Sequence, residues 1–409
     1  MDSNLHSGVE ESEIYWFYHR GFLLHRGYRL RPKFDPDFAS TYQLLDKRAR
    51  RECQTCYFRH TVMDAIRTSD GTKVLLKSVS TSLNPYEVEI AQLFSSPPHL
   101  GHPRNHCVPL LDLLQDPEDS DIQIMVMPLL VSFQEPLFDT VGELIACWRQ
   151  IFEGIQYMHE HLVAHRDCTL NNILQDPTLL YLDGFHPVRA WMHPSFERFA
   201  QHITRTECWP RYYIIDFGLS RRYDPAQGLP MEYVIRGADK SPPEHLGAAY
   251  SVPCNPFPTD IYFLGNLLEE EFIFKGFPFD SQDKLRVFGP LRFFKPLIED
   301  MTHQDPAMRP TIGEVIERFD KMTRKLSWWH LRRPGQRFDL LDRPAQLVRQ
   351  IKNLFKRVPA LESSLHPSDH SSAQPRNASV LYPNRDQVAS VVHTWGFGLG
   401  NGNTPYCCQ

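Results

Sequence analysis

The sequence predicts an α+β fold with two lobes, a small β-rich lobe followed by a larger helical lobe. Short apolar runs joined by turn residues fill residues 61–130, and a long segment with helical spacing of apolar residues comes after them. The chain has 409 residues, of which 42% are hydrophobic and 12% aromatic, and this is enough for a large packed core.

The β-rich lobe begins with a hairpin. Residues 61–67 and 73–79 are predicted to be strands, and Ser69-Asp70-Gly71 is typical of the turn between them. A helix is expected from Pro85 to about Phe94, because Ile90, Leu93 and Phe94 would form an apolar stripe along it. Further strands are predicted at residues 107–114 and 122–130.

The helical lobe opens with a long amphipathic helix at residues 141–161. Its apolar residues recur at the spacing of one helix face, which is expected to pack into the core. They are Leu144, Ile145, Trp148, Ile151, Phe152, Ile155 and Met158.

Candidate catalytic residues follow that helix directly. The run His165-Arg-Asp-Cys-Thr-Leu-Asn-Asn172 fits the pattern H-R-D-x-x-x-x-N. Transfer of a phosphoryl group needs positioning, metal ions and one carboxylate at the nucleophile. Asp167 would accept the hydroxyl proton, and Asn172 would reach a Mg²⁺ ion with its amide oxygen.

A second motif lies at the end of an apolar strand. The run Tyr212-Tyr-Ile-Ile-Asp-Phe-Gly218 ends in D-F-G, which places the Asp216 carboxylate where it can meet a cation directly. Either motif alone is a modest signal. The two in this order, after an amphipathic helix, are a strong one.

Four more segments complete a pattern that resembles the protein kinase family over roughly residues 61–325. Val74-Leu-Leu-Lys77 is similar to V-A-I-K, and Ser241-Pro-Pro-Glu244 is similar to A-P-E. Asp260 to Gly265 resembles the D-x-x-x-x-G motif, and Asp305 to Thr311 resembles D-P-x-x-R-P-T. A narrower resemblance, to little-characterised fungal kinase-like proteins, lies in residues 104–112, 221–225 and 252–260.

The resemblance implies a two-lobed protein kinase fold and ATP-dependent transfer of the γ-phosphate to Ser/Thr hydroxyls of protein substrates, with ATP and Mg²⁺ as cofactors. Asp167 would be the base, and Asn172 and Asp216 would hold the metal. Lys77 would clamp the phosphates, and Glu87 would orient Lys77, with Glu89 as the fallback partner.

The same resemblance implies an adenine pocket and two structural contacts. Val62, Leu75 and Met127 would line the pocket, with Met127 as its gate and Pro128 to Leu130, including Leu129, as the hinge. The resemblance also implies that Asp260 ties down the backbone of the catalytic loop. Arg309 and Glu244 are expected to form a buried salt bridge.

Departures from the family pattern bear on activity. If Val62 is the valine of G-x-G-x-x-G-x-V, the three glycine positions hold Thr55, Tyr57 and His60. Leu75 replaces a small alanine and would crowd the adenine, because its side chain is larger. Thr169 stands where a lysine is usual, and residues 236–240 contain no hydroxyl to match it.

These departures leave other functions open. The first alternative is a catalytically weak or inactive kinase-like binding module, and the second is a small-molecule phosphotransferase. The choice of Ser/Thr over Tyr as the substrate residue is an assumption, because Thr169 replaces the lysine that usually distinguishes the two kinds of kinase. Arg166 would either dock a phosphate on Tyr233, or pair with Asp224 or Glu232, or merely hold its own loop.

The chain outside the core motifs divides into further segments. Residues 1–60 are expected to be an N-terminal extension, aromatic and basic at first and then irregular. Residues 178–210 form an insertion that would either shape substrate access or be a surface excursion. The lobes are assigned to residues 61–130 and 131–325.

The C-terminal part is predicted to hold a basic amphipathic segment at 326–360 and a disordered tail at 361–409. Residues 321–357 contain eleven Lys or Arg against two Asp, a net charge of +9. Residues 345–358 could therefore contact an anionic membrane or a partner, or dock on the chain's own helical lobe.

Charge and composition exclude several classes of protein. A net charge of −5 gives no reason to expect nucleic acid as a partner. No apolar run is long enough for a transmembrane helix, and the first 30 residues lack a signal core. Nine scattered cysteines are typical of a reducing compartment, so we expect a cytoplasmic protein. Nothing in the sequence indicates an oligomeric state.

Overall fold

A computed structural model describes residues 8–35, 38, 42, 44–235, 237–273 and 291–335. The predicted basic helix at 345–358 and the predicted disordered tail at 361–409 lie outside the described residues. The fold is α+β, as predicted, with an antiparallel sheet early in the chain and most of the described helices after it.

The main sheet has five antiparallel strands in the order β1-β2-β3-β5-β4. The hairpin predicted at residues 61–79 is confirmed as β2 and β3, joined by a turn in which Gly71 has a φ of +73°. The strands are β1 (Tyr28–Arg29), β2 (Val62–Arg67), β3 (Lys73–Ser80), β4 (Asp112–Gln115) and β5 (Ile122–Pro128).

One predicted strand is shorter than expected. Residues 107–114 were predicted to be extended throughout, but only the part from Asp112 pairs with β5. Cys107 instead makes an isolated bridge to Ile214, on another part of the chain. Pro109 has no backbone N–H to donate to a ladder, so residues 107–114 cannot pair continuously as one strand.

Helices cover both faces of the main sheet and build the second half of the molecule. Those with described bounds are α1 (Ile14–His25), α2 (Lys47–Cys53), α3 (Glu87–Phe94), α4 (Val141–Glu160), α5 (Pro256–Leu268), α6 (Lys295–Met301), α7 (Ile312–Thr323) and α8 (Trp328–Leu331).

Helix α4 matches its prediction closely and forms the centre of the larger core. Thr140 and Glu143 build a reciprocal capping box, in which each side chain accepts the backbone N–H of the other. The helix ends before Leu162, whose φ of +58° is left-handed. Trp148 and Phe152 are fully buried, so α4 is held by packing over most of its length.

The two faces of the main sheet have different neighbours because side chains alternate along β3. Val74 and Leu76 are fully buried against α1, through a cluster that includes Trp16. Leu75 and Lys77 point to the opposite face, which we call the inner face. The inner face packs against α3 and carries the candidate site.

The expectation that the N-terminal extension becomes irregular after its aromatic, basic start was wrong for the described residues, because they include β1 and α2. Strand β1 pairs with β2, and α1 covers the sheet with Trp16, Phe17 and Leu23. Farther along, α2 is started by Asp46, whose carboxylate accepts the Ala49 N–H at 2.7 Å. Trp16 and Leu23, seven residues apart and therefore on one helix face, were the signal that could have predicted α1.

Two small sheets follow the main one and position the two motif loops. Strands β6 (Val131–Ser132), β8 (Ile173–Gln175) and β9 (Tyr212–Ile214) form one antiparallel sheet, and β7 (Val163–Ala164) pairs with β10 (Arg221–Arg222). The segment 165–172 thus lies between β7 and β8, and Asp216 comes just after β9.

The insertion at 178–210 is part of the packed structure. Leu180, Tyr181 and Phe185 are buried against Leu129 and Val131, next to the segment that follows β5. Of the two alternatives for this insertion, a surface excursion is the one that this packing argues against.

A buried arginine anchors the far end of the insertion. Arg205 is 1% exposed and donates to the carbonyl oxygens of Phe133, at 2.7 Å, and Leu137, at 3.2 Å. Its Nε donates to Gln175 at 3.1 Å, so every contact joins the insertion to the helical part of the chain.

The insertion also contacts the N-terminal segment and β3. Lys73 Nζ donates to the Phe185 carbonyl at 2.9 Å, and the Tyr57 hydroxyl donates to the Pro187 carbonyl at 3.3 Å. His186 Nε2 lies 3.2 Å from Glu52 Oε1. Residues 185–187 are therefore held to the sheet side of the molecule.

No described helix is both long enough and apolar enough to cross a membrane.

Candidate active site

A lysine on the inner face of the sheet joins two acidic residues. Lys77 Nζ forms an ion pair with Glu87 of α3 and donates to Asp216 Oδ1 at 2.8 Å. The Lys77–Glu87 pair was predicted, with Glu89 as the fallback, and the choice of Glu87 is confirmed. Since α3 begins at Glu87, this carboxylate lies in the first turn, where the helix dipole favours negative charge.

The charges in this group perturb one another. Burial lowers the pKa of Lys77, but the attraction of Glu87 and Asp216 outweighs it, so the pKa of Lys77 is raised. Burial likewise opposes ionisation of Asp216, yet Lys77 and Arg59 together lower the pKa of Asp216 to about 2. Burial raises the pKa of Glu87, and Lys77 offsets this only in part.

Asn172 and Asp216 lie at the same end of the antiparallel pair β8–β9, because Asn172 directly precedes β8 and Asp216 follows β9. Strands β8 and β9 are in register with Ile173 opposite Ile214, and the Ile215 N–H donates to the Asn172 carbonyl at 3.0 Å. The ladder therefore fixes the spacing of the two motif loops, although 43 residues separate them along the chain.

Asn172 is hydrogen-bonded to Asp167. Its Nδ2 donates both to the Asp167 backbone carbonyl and to Asp167 Oδ2, each at 2.9 Å. This use of Nδ2 leaves Asn172 Oδ1 as an acceptor for a cation. Nearby, the Thr169 hydroxyl oxygen is buried and has no partner among the described residues.

The segment 165–172 is anchored by Asp260 at the start of α5, as predicted. Asp260 is fully buried and accepts the backbone N–H of His165 at 2.8 Å and that of Arg166 at 2.7 Å. The His159 ring lies 3.0 Å from the same carboxylate. Burial opposes its ionisation, but His159 and the backbone donors lower the pKa of Asp260.

Two non-glycine residues in the motif loops adopt left-handed backbone conformations. Arg166 has a φ of +68° and Asp216 a φ of +66°. Such conformations cost on the order of 1–3 kcal/mol and persist only where surrounding contacts impose them. Here the contacts are those of Asp260 to the Arg166 N–H and of Lys77 to the Asp216 side chain.

The predicted adenine-contacting residues share the inner face in part. Val62 lies opposite Lys77 in the β2–β3 register, and Leu75 lies opposite Met127 in the β3–β5 register. Directly opposed residues point to one side of a sheet, so these four share the inner face. Leu129 lies beyond the end of β5, and its buried side chain belongs to the insertion cluster, against which Leu75 also packs.

The later segment 237–238 lies directly on Asp167. The Ala238 N–H donates to Asp167 Oδ1 at 3.0 Å, and a Cβ added at Gly237 would overlap the same oxygen. Both Asp167 oxygens therefore have donors in this conformation. The sequence did not predict this contact, because residues 237–238 belong to none of the motifs above.

Arg59 is a second cation at Asp216 that the sequence did not reveal. Its Nη1 donates to Asp216 Oδ2 at 3.0 Å, while Lys77 holds Oδ1. Arg59 lies just before β2, between Tyr57 and His60, two of the three positions that carry glycine in the pattern considered above.

Arg166 is paired with a carboxylate. Glu232 contacts Arg166 Nη1 at 3.0 Å with one oxygen and Arg221 with the other. The backbone of Glu232 exchanges two hydrogen bonds with Cys254, which fixes its place. Of the partners proposed for Arg166, Glu232 is the one observed, and Arg166 also donates to the Tyr233 carbonyl at 3.2 Å.

The predicted salt bridge between Arg309 and Glu244 is confirmed. It is bidentate, and the two side chains are 0% and 6% exposed. Glu244 also accepts from the Thr259 hydroxyl at 2.7 Å, and Arg309 donates to the Pro258 carbonyl. This network joins the segment before α5 to the segment before α7.

Two side chains of the site, Asn172 and Asp216, carry oxygens of the kind that magnesium binds. In the described part of the chain, no group of three or more His, Cys, Asp or Glu is arranged to bind a metal ion. Magnesium in phosphoryl-transfer sites takes one or two protein oxygens and completes its shell with phosphate and water. Asn172 Oδ1 and Asp216 would suffice for that role.

Comparison with known proteins adds no relatives. No protein-family model matches the chain, and no curated protein is significantly similar to it.

Proposed function

We propose that this chain has the two-lobed protein kinase fold and transfers the γ-phosphate of ATP, with Mg²⁺, to Ser/Thr hydroxyls of protein substrates. The observation that carries this proposal is the contact of Lys77 with both Glu87 and Asp216. It lies beside the Asn172–Asp167 pair at the end of the β8–β9 ladder. Phosphoryl transfer depends chiefly on such positioning of charges.

Each residue of the site would have one task. Bound MgATP would supply the transferable phosphoryl group and the cation that neutralises its charge. Lys77 would hold the phosphates, because Glu87 keeps its ammonium in place. Asp216 and Asn172 offer oxygens to the cation, and Asp167 would orient the substrate hydroxyl and accept its proton.

The Ala238 contact fits this role of Asp167. If a substrate hydroxyl donated to the oxygen that accepts the Ala238 N–H, one donor would replace the other. Under this proposal, segment 237–238 would have to move away before transfer, and the present conformation would be a resting state of the site.

A radiolabel transfer assay tests the proposal. Wild type, Asp167→Ala and Asp167→Asn are incubated with labelled ATP, Mg²⁺ and generic protein substrates. We expect incorporation by wild type and a loss of at least 100-fold in both variants. The unfolding temperature of each variant is measured as well, to check that the fold is retained. Equal incorporation by all three would assign the signal to contamination and end the enzyme hypothesis.

A kinase-like binding module without catalysis is the second candidate. Two contacts favour it, namely the Ala238 N–H on Asp167 and the Arg59 guanidinium on Asp216. Binding to the native state alone raises apparent stability, by about 2.7 kcal/mol at a ligand concentration 100 times Kd. A thermal shift with millimolar MgATP but no transfer would support the module with nucleotide bound. No shift would support a module that binds no nucleotide.

A further inference from the structure

The loop before β2 brings a positive charge to Asp216 from a stretch without glycine. No glycine occurs between Gly27 and Gly71, so no backbone there has the freedom to wrap closely around phosphates. Arg59 lies in that stretch, and its Nη1 is 3.0 Å from Asp216 Oδ2. The loop thus offers a side-chain donor where closely packed backbone donors are missing.

The backbone on both sides of Arg59 is anchored. The indole of Trp16, a residue with no exposed surface, donates to the His60 carbonyl at 2.8 Å. On the other side, Arg31 donates to the Thr55 carbonyl at 3.0 Å, and the Tyr57 hydroxyl bonds to the Pro187 carbonyl. These contacts fix the position from which the Arg59 side chain extends.

The Arg59 side chain is mostly exposed to solvent. Arg59 is 59% exposed, whereas Lys77 on the other oxygen of the same carboxylate is 15% exposed. An ion pair with so exposed a member changes an equilibrium constant by only about fivefold or less. The Arg59–Asp216 ion pair is therefore too weak to prevent a ligand from binding at Asp216. Arg59 can exchange this carboxylate for another anion.

We propose that Arg59 binds the terminal phosphates of a nucleoside triphosphate and substitutes for a glycine-rich phosphate loop. This inference rests on the proposed function. If a cation bound Asp216, the guanidinium would lose its carboxylate partner and would be free to pair with the phosphates that accompany the cation. A planar guanidinium can donate two parallel hydrogen bonds to phosphate oxygens, which a point charge cannot.

The position of Arg59 relative to Lys77 indicates which phosphates Arg59 would contact. Lys77 is deep in the site beside Glu87, and Arg59 is at its exposed edge. Leu75 precedes Lys77 by two residues on β3, and Met127 lies opposite Leu75 on β5. If Leu75 and Met127 contacted the adenine, the chain of phosphates would run from them past Lys77 toward Asp216. Arg59 would then meet the terminal end, and triphosphate binding would depend on it more than diphosphate binding does.

Calorimetric binding measures this directly, without any turnover. Wild type, Arg59→Ala, Arg59→Lys and Arg51→Ala are titrated with MgATP, MgADP, adenosine and magnesium triphosphate. Arg51, an exposed arginine of α2, is the matched control. Unfolding temperature without ligand is measured for each variant.

We expect Arg59→Ala to weaken MgATP and magnesium triphosphate binding at least tenfold, MgADP binding less, and adenosine binding not at all. Arg59→Lys should recover part of the loss, and Arg51→Ala should match wild type. Equal or tighter MgATP binding by Arg59→Ala would overturn the inference, because Arg59 would then only block Asp216. If wild type binds neither MgATP nor adenosine, the proposed function and this inference fall together.

Discussion

Arg309 and Glu244 form a bidentate salt bridge, in which Nη1 meets Oε1 and Nη2 meets Oε2, both at 2.7 Å. The pair is 65 residues apart in sequence and almost fully buried. The salt bridge stabilises the fold only when both partners are present, because one buried charge without its partner lowers the free energy of unfolding more than having neither charge.

We therefore expect Arg309→Ala or Glu244→Ala to lower the free energy of unfolding by about 3–5 kcal/mol, since each leaves one charge unpaired. Urea denaturation followed by tryptophan fluorescence measures it. The double variant Arg309→Met/Glu244→Leu should lose less than either single variant. A double variant as unstable as the sum of both would contradict the pairing.

The exposed pair of Arg318 and Asp300 provides the control. Its side chains are 38% and 52% exposed, although the contact distance is as short, at 2.5 Å. Solvent screening leaves such pairs worth about 0–1 kcal/mol. Arg318→Ala should therefore change the free energy of unfolding by no more than that.

Asp260→Asn should loosen the segment at 165–166. The carboxylate accepts two backbone N–H groups, and an amide would turn one acceptor into a donor facing another donor. We expect a loss of about 1–3 kcal/mol of unfolding free energy. Hydrogen exchange of the His165 and Arg166 amides should become faster, while Asp183→Asn, an exposed carboxylate, should leave both rates unchanged.

Asp216 should contribute a pH-dependent part of stability at acid pH. Its folded-state pKa of about 2 is below the ordinary value of 3.8, so its contribution is fully present above about pH 4. The contribution is lost as pH falls toward 2 and is on the order of 2 kcal/mol. The difference in unfolding free energy between wild type and Asp216→Asn should shrink between pH 5 and pH 3. A difference independent of pH would rule out the lowered pKa.

Gly237→Ala should displace the segment that lies on Asp167. The new Cβ would overlap Asp167 Oδ1, so the Ala238 hydrogen bond cannot persist. We expect faster exchange of the Ala238 amide and a cost of about 1–3 kcal/mol. Gly313→Ala in α7 is the control, because its nearest neighbour would be 3.6 Å away. That change should be neutral or slightly stabilising.

The features that the sequence predicted well depend on local spacing. Lys77 is in a strand with alternating burial, Glu87 precedes an apolar helical stripe, and the two motif loops follow the short strands β7 and β9. Each of these patterns lies within about ten residues. The Arg309–Glu244 and Asp260 contacts were predicted through the family resemblance, since no local pattern indicates partners so far apart.

The contacts that the sequence did not predict join distant segments without any periodic signal. Arg59 reaches Asp216 across 157 residues, and Ala238 reaches Asp167 across 71. The packing of Leu129 against the insertion is of the same kind. Such contacts are selected by the shape of the assembled core, which amino-acid preferences alone do not encode.

The contacts of residues 185–187 with Glu52, Tyr57 and Lys73 restrict the motion of the main sheet relative to the helices. A hinge motion that opens the sheet from the helices must either rupture all three contacts together or peel the 178–210 insertion from Leu129 and Val131. The rate at which a ligand enters or leaves the site would then be limited by local unfolding of that insertion, and not by diffusion of the ligand.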